Sequence, residues 1–358
     1  MRSLLTLLFF VPLIGFSQYW QQQGQDIDGE AADDYSGHSV SMNAAGDRVA
    51  VGATDNDGNG SRAGHVRIYE RNGTSWTQLG QDIDGEAAYD YSGESVSMNA
   101  AGDRVAIGAP SNDGNVGNAG HVRIYEWNGT SWTQLGQDID GEAGGDYSGA
   151  FVSMNAAGDR VAIGAPWNDG NGSNAGHVRI YAWNGSSWVQ VGQDIDGEAA
   201  GDNSGYSVSM NAAGDRVAVG APFNDVATLV AGSNAGHVRI YAWNGTVWTQ
   251  LGQDIDGEAG AVRSGWSVSM NATGDIVAIG AYLNNGNGIH DGHVRIYEWN
   301  GSSWVQLGQD IDGEAAWDQS GYSVSMNASG DRVAIGANGN DGNGSSSGHV
   351  RIYEWNGT

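Results

Sequence analysis

The 358-residue sequence predicts an all-β chain folded as a six-bladed β-propeller, and three observations lead there. The phrase Gln-Asp-Ile-Asp-Gly-Glu begins at Gln25, Gln81, Gln137, Gln193, Gln253 and Gln309, at intervals of 56 residues with one of 60. Self-similarity at such a period marks an array of stacked supersecondary units. The 59 glycines and four prolines, with no amphipathic helical stretch between them, call for many tight turns. Finally, the two ends of the chain supply complementary pieces of one unit.

Within a unit the elements follow in a fixed order. Trp76-Thr-Gln-Leu79 is a short strand, and the acidic connection Asp82 to Gly93 follows it. Ser95-Val-Ser-Met98, the turn Asn99-Ala-Ala-Gly102 and Arg104-Val-Ala-Ile107 read as a hairpin. The loop Pro110 to Gly120 leads to His121-Val-Arg-Ile-Tyr125, and Asn128-Gly129 returns the chain to Trp132. Alternation with period two, bounded by Gly, Asn or Asp, is the signature of strands. An Asn-Gly hairpin turn, whose residues both tolerate positive φ, is expected to set Tyr125 opposite Trp132. Four antiparallel strands of this kind make a propeller blade. Ala106 and Gly108 alternate with Val105 and Ile107, so neighbouring blades can nest small side chains against large ones. One such sheet cannot bury both of its faces alone, so the blades must stack.

Residues 1–17 read as an export signal: Arg2, the apolar run Leu4 to Phe16, and the small-x-small site Gly15-Phe16-Ser17. That run is shorter than the roughly 20 residues of a membrane span. Residues 18–358 are therefore expected to form a single secreted domain without a transmembrane segment. The last unit stops at Trp355-Asn-Gly-Thr358, without its Trp-x-Gln strand, and Tyr19-Trp20-Gln21-Gln22 aligns with Ser75-Trp76-Thr77-Gln78. The amino-terminal strand is thus expected to complete the last blade, bringing Trp20 near Tyr353, closing the ring and removing its open edges.

Formal net charge is −27, and the fifteen basic residues are all arginine. Such a surface repels phosphate backbones and anionic membranes, attracts cations, and keeps a repetitive β protein monomeric. No cysteine is present, which excludes thiolate catalysis and cysteine metal sites.

The core of each unit, such as Ser204-Gly-Tyr-Ser-Val-Ser-Met-Asn-Ala-Ala-Gly-Asp-Arg-Val-Ala-Val-Gly-Ala-Pro222, resembles the FG-GAP repeat of integrin α-subunit propellers and bacterial secreted proteins. The resemblance spans residues 19–358 and implies a propeller used for adhesion or ligand display. Two departures stand out. The family's Phe is replaced by Ser36, Ser92, Ser148, Ser204, Ser264 and Ser320. The first hairpin turn, Asn99-Ala-Ala-Gly-Asp103, is too short and too poor in carboxylates for the calcium loop of integrin-type repeats, so that metal site is not carried over.

Alternate connections of an antiparallel meander fall on the same side, so the two long connections of every unit should share one acidic face. The inter-blade connections offer Asp26, Asp28, Glu30 and Asp34, then Asp82, Asp84, Glu86 and Asp90, as candidate metal ligands. Oxygen donors at alternating positions suit calcium, although the early glycine departs from the EF-hand pattern. The plainer expectation is that these Asp residues hold turns. His121, Arg123 and Tyr125 share one sheet face. A ring of six histidines suggests metal, but one per blade lies too far from its copies to share an ion. The strand is therefore read as structural, with Arg expected to pair with nearby acids and Tyr to pack. The Asn-Gly-Thr/Ser glycosylation matches are read as hairpin turns.

Comparison among the six copies shows where they differ. The residue after Ser-Gly reads His38, Glu94, Ala150, Tyr206, Trp266 and Tyr322, and it opens the innermost strand. His38, Glu94, Tyr206, Trp266 and Tyr322 are the candidate ligand-binding residues at the channel mouth, with the aromatics suited to stacking on sugars or clasping apolar side chains. The sequence supports a secreted or cell-surface, non-enzymatic binding or adhesion propeller that presents its acidic face to glycan or protein. A purely architectural domain is the alternative, and a hydrolase or lyase using His290, or His38 beside Asp34, comes third.

Overall fold

The structure is a computed structural model describing residues 22–114, 116–225 and 233–357. In the first blade, β1 (Ser36–Met42), β2 (Arg48–Ala53), β3 (His65–Asn72) and β4 (Ser75–Gln78) lie antiparallel in chain order. A two-residue strand that the sequence pattern does not reveal, β5 (Ile83–Asp84), also pairs with β3, joining Ile83 to Val66 and Asp84 to His65. It belongs to the acidic connection, so each connection is stitched to the blade it leaves. Four further blades repeat this plan, and the last described blade has three strands, Ser320–Met326, Arg332–Ala337 and His349–Glu354. The chain is a six-bladed β-propeller, and no helix of the described residues is long and apolar enough to cross a membrane.

The outer hairpin corrects the expected register. Trp127, not Tyr125, stands opposite Trp132, with ring centroids 5.5 Å apart, and Tyr125 faces Gln134. The cause is Asn128, whose Oδ1 accepts from the N–H groups of both Thr130 and Ser131. This places Asn128 at the first corner and Gly129-Thr130 in the centre, one residue along from an Asn-Gly centred turn, which moves the pairing by two residues. At the inner hairpin Asn99 plays a similar part, accepting from the N–H groups of Asp103 and Arg104 while its amide donates to the Asp103 carboxylate.

Blades pack small against large, as the alternation predicts. Ala50, Val66 and Ile68 of the first blade bury against Val105 and Ile107 of the second, and the same residue types form the next interfaces. Gly108 is required there, because a Cβ would overlap the carbonyl oxygen of Gly149 in the following blade. The contacts are pinned by repeated bonds, with Phe151 replacing the bonding serine at the third interface. At the first interface these are Ser39 Oγ to Gly93 O at 2.6 Å, Met98 N to Ser41 Oγ at 2.9 Å, and Ala44 N to Ala100 O at 3.1 Å.

Five interfaces of this kind are formed. Between the last blade and the first, no hydrogen bond is made among the described residues, and the facing side chains are exposed: Val40 64%, Met42 55%, Val350 67% and Ile352 51%. Their counterparts Val96, Met98, Val238 and Ile240 are buried. At the outer end of the last blade, Leu307, Gly308 and Trp355 line a groove of about 150 Å³. The expected closing contact of Trp20 with Tyr353, like the export signal, lies outside the described residues. Gln22 is described, and its amide donates to Asp26 as that of Gln78 does to Asp82.

Candidate functional site

The innermost strands bring His38, Glu94, Tyr206, Trp266 and Tyr322 together around a cavity of about 430 Å³ at the mouth of the channel, as the sequence predicts. The two sides of this mouth differ chemically. On one, His38 Nε2 lies 3.3 Å from Glu94 Oε1, and this hydrogen bond holds the imidazole above its ordinary pKa of 6.5 against some desolvation. His38 therefore pairs across the blade interface and not with Asp34, whose carboxylate is occupied by the Ala31 N–H and the Asn56 amide. His290 sits away from the mouth, edge-on to Trp317 at 4.7 Å.

On the other side the rings form a continuous cluster. Trp266 lies 4.5 Å from Tyr206, 4.5 Å from Tyr282 and 5.8 Å from Tyr322 between centroids, and Phe151 lies 5.0 Å from Tyr206. Burial, reinforced by Tyr322 and Tyr282, pushes the Tyr206 hydroxyl pKa up, so it stays a neutral donor. Behind the rings the Arg263 guanidinium stands 3.9 Å over the Phe223 ring, with Nε and Nη1 buried and lacking a hydrogen-bond partner among the described residues. Phe151, Phe223, Arg263 and Tyr282 are absent from the sequence-based set. The internal comparison held the signal for Arg263: its counterparts read Tyr35, Tyr91, Tyr147, Asn203 and Gln319.

The long connections do gather beside this mouth, where Tyr91 and Tyr147 of the inter-blade segments meet Pro110, Ser111 and Trp167 of the within-blade loops. The four carboxylates of one connection, however, do not converge on a shared calcium site. Asp90 is buried, and its Oδ2 accepts from Ala87 N and Asn112 Nδ2, both at 2.9 Å. Asp84 offers its carbonyl to Arg123. Glu86 turns to Arg123 and His121 of the blade it enters, while Asp82 is bonded by Gln78 of the blade it leaves. Asp26, Asp28, Glu30 and Asp34 divide in the same way, with Asp28 O bonded by Arg67 and Glu30 set against Arg67 and His65. What divides them is that each is engaged by a different neighbour: Asp82 by Gln78, Glu86 by Arg123 and His121, and Asp90 by the Ala87 N–H and Asn112.

Carboxylates of successive connections instead meet at a histidine. Glu30, His65 and Asp82 present ligand-type atoms within 4.8 Å of one another, as do Glu86, His121 and Asp138, and three further triads centred on His177, His237 and His293. Burial, aided by the adjacent arginine, lowers the pKa of His121, His177, His237 and His293 to about 4, so these rings are neutral at physiological pH. Each arginine also lies over the tyrosine two residues on, as Arg123 does over Tyr125 at 5.6 Å. The pairing and packing expected of the His-Val-Arg-Ile-Tyr strand are both present.

A propeller with an asymmetric mouth and a symmetric set of inter-blade polar clusters is what these residues build. No family model matches the chain, and no curated protein matches it in sequence. Among solved structures it is similar to two provisionally named 6-phosphogluconolactonases. The protein from Bacteroides uniformis superposes with a TM-score of 0.60 at 10% identity, over 89% of this chain and 80% of that one. The protein from Bacteroides fragilis gives a TM-score of 0.58 at 10% identity, over 92% of this chain and 82% of that one. Identity at this level carries the fold alone.

Proposed function

We propose that this protein is a secreted or cell-surface binding propeller that holds a glycan or protein segment at its channel mouth, without chemistry of its own. The observation that carries this reading is the aromatic half of the mouth, where Tyr206, Trp266, Tyr282 and Tyr322 stand as a clustered wall beside an open cavity of about 430 Å³. Cavities of roughly 300–1,000 Å³ with aromatic walls and a few oriented polar groups are the usual form of a ligand site. The ring faces suit sugar faces or apolar side chains, while His38, Glu94 and the Tyr206 hydroxyl supply direction. The ionisable groups of the blades are copied around the ring, whereas a reaction centre needs one asymmetric set of acid, base and nucleophile. The names of the structural neighbours suggest lactone hydrolysis, but a phosphorylated substrate is opposed by a net charge of −27.

A glycan array and a peptide display library, each probed with the protein and with Trp266→Ala, test the proposal. Retained binding in the wild type and a loss of tenfold or more, about 1.4 kcal/mol, in the variant is the expected result. Equal signals from both proteins, or hydrolysis of 6-phosphogluconolactone above background, would replace it.

A further inference from the structure

The five inter-blade triads share one arrangement of a histidine between two carboxylates. In each, the glutamate comes from the connection entering a blade, the histidine from the blade's third strand, and the aspartate from the connection leaving it. The histidines at 65, 121, 177, 237 and 293 are each 2% exposed or less. Their imidazoles make no hydrogen bond with a described residue. Instead His121 Nδ1 faces Glu86 Oε2 at 3.8 Å, and His293 Nδ1 faces Asp310 Oδ2 at 3.8 Å. The His121 Nε2 atom is buried without a hydrogen-bond partner among the described residues.

These separations are too long for a hydrogen bond. They suit atoms that share an ion: two ligands about 2.1 Å from a tetrahedral centre stand roughly 3.4 Å apart. The remaining oxygens are already committed. Arg123 lies 3.5 Å from Glu86 Oε1, while Gln134 donates to Asp138 Oδ1 at 2.5 Å. In the fifth blade, Arg295 donates to Glu258 Oε1 at 3.1 Å and Gln306 to Asp310 Oδ1 at 2.6 Å. Each carboxylate thus uses one oxygen on a neighbouring donor and leaves the other near the imidazole. Outer partners of this kind orient metal ligands. Two carboxylates against one arginine leave each triad with a formal negative charge.

We propose that each Glu–His–Asp triad binds one divalent first-row transition ion of zinc's class, clamping a blade to the connections on both of its sides. A neutral imidazole with two carboxylates selects such an ion over calcium or magnesium, which prefer all-oxygen shells. The sites follow the propeller's repeat and stand apart from the asymmetric mouth, so they act on the scaffold and not on the ligand.

The test uses the full chain stripped with a chelator, titrated with zinc(II) by calorimetry and followed through the imidazole nitrogens by long-range ¹H–¹⁵N spectra. About five equivalents are expected to bind, one for each triad, shifting the Nδ1 resonances of their histidines and leaving those of His38 and His290 in place. Asp138→Asn keeps the bond from Gln134 and spares the buried histidine, so the fold is retained while about one of the five equivalents is lost. Zinc uptake without movement of any Nδ1 resonance, no uptake up to roughly 1 mM, the weak end for extracellular ion sites, or unchanged stoichiometry in a folded Asp138→Asn protein would overturn the proposal. A calcium-induced shift of the same resonances that zinc does not reproduce would overturn the choice of ion.

Discussion

His38 of the first blade and Glu94 of the second meet across the blade interface at the channel mouth, with Nε2 and Oε1 3.3 Å apart. The carboxylate raises the imidazole pKa above 6.5, so the folded protein binds this proton more tightly than the unfolded chain does. The pair's contribution is therefore fully present below about pH 6.5 and is lost as pH rises through the higher folded value. Both side chains are more than a third exposed, which limits the contribution to the ~0.2–1 kcal/mol of a solvent-screened pair. An NMR titration is expected to give His38 a pKa above 6.5, and Glu94→Gln to return it towards that value. A His38 titration that ignores the substitution would show that the two residues do not pair in solution.

Asp90 anchors its connection from within, and its replacement separates a turn-holding carboxylate from an ion ligand. At 2% exposure, its Oδ2 accepts from Ala87 N and Asn112 Nδ2. Asp90→Ala strands a buried amide, for an expected loss of about 1–3 kcal/mol in urea unfolding. Glu86→Ala removes a far more exposed group, and in metal-free buffer it should lose less than about 1 kcal/mol. The Asp90→Ala deficit should be the same with and without calcium, since the bonded oxygen already serves two donors. A deficit seen in calcium alone would make this residue a ligand.

The blades and the mouth were legible in the sequence for opposite reasons. Six copies in register expose the strand pattern, while a divergent position that opens the innermost strand, His38, Glu94, Ala150, Tyr206, Trp266 and Tyr322, marks the mouth. The triads were hidden because their carboxylates come from two successive connections. What joins them is the pairing of Asp140 with His121 and its repeats, which brings Asp138 beside the imidazole. A strand of two residues, Ile139–Asp140, has no alternation to read. Arg263 stands out in the sequence as an unrepeated charge, but nothing in its spacing shows that its guanidinium folds over Phe223 behind the rings of the mouth. The hairpin register failed on a side chain: Asn128 accepts two N–H bonds and moves the turn.

The seam between the last blade and the first supplies an internal control for the energetics of packing. Ile240 and Ile352 occupy the same place in the repeat, with the same neighbours in sequence, yet Ile240 is fully buried and Ile352 is 51% exposed. Replacing a buried isoleucine by alanine typically costs about 2–5 kcal/mol, because a cavity adds to the lost transfer energy. Ile240→Ala is expected to fall in that range. Ile352→Ala leaves no enclosed cavity and gives up only part of the transfer term, so its cost should be under about half as large. Denaturant midpoints of the two variants, with unchanged m-values, measure this ratio directly. Equal losses would mean that Val40 and Met42 seat against Val350 and Ile352 in solution, shutting the ring with a sixth interface like the other five.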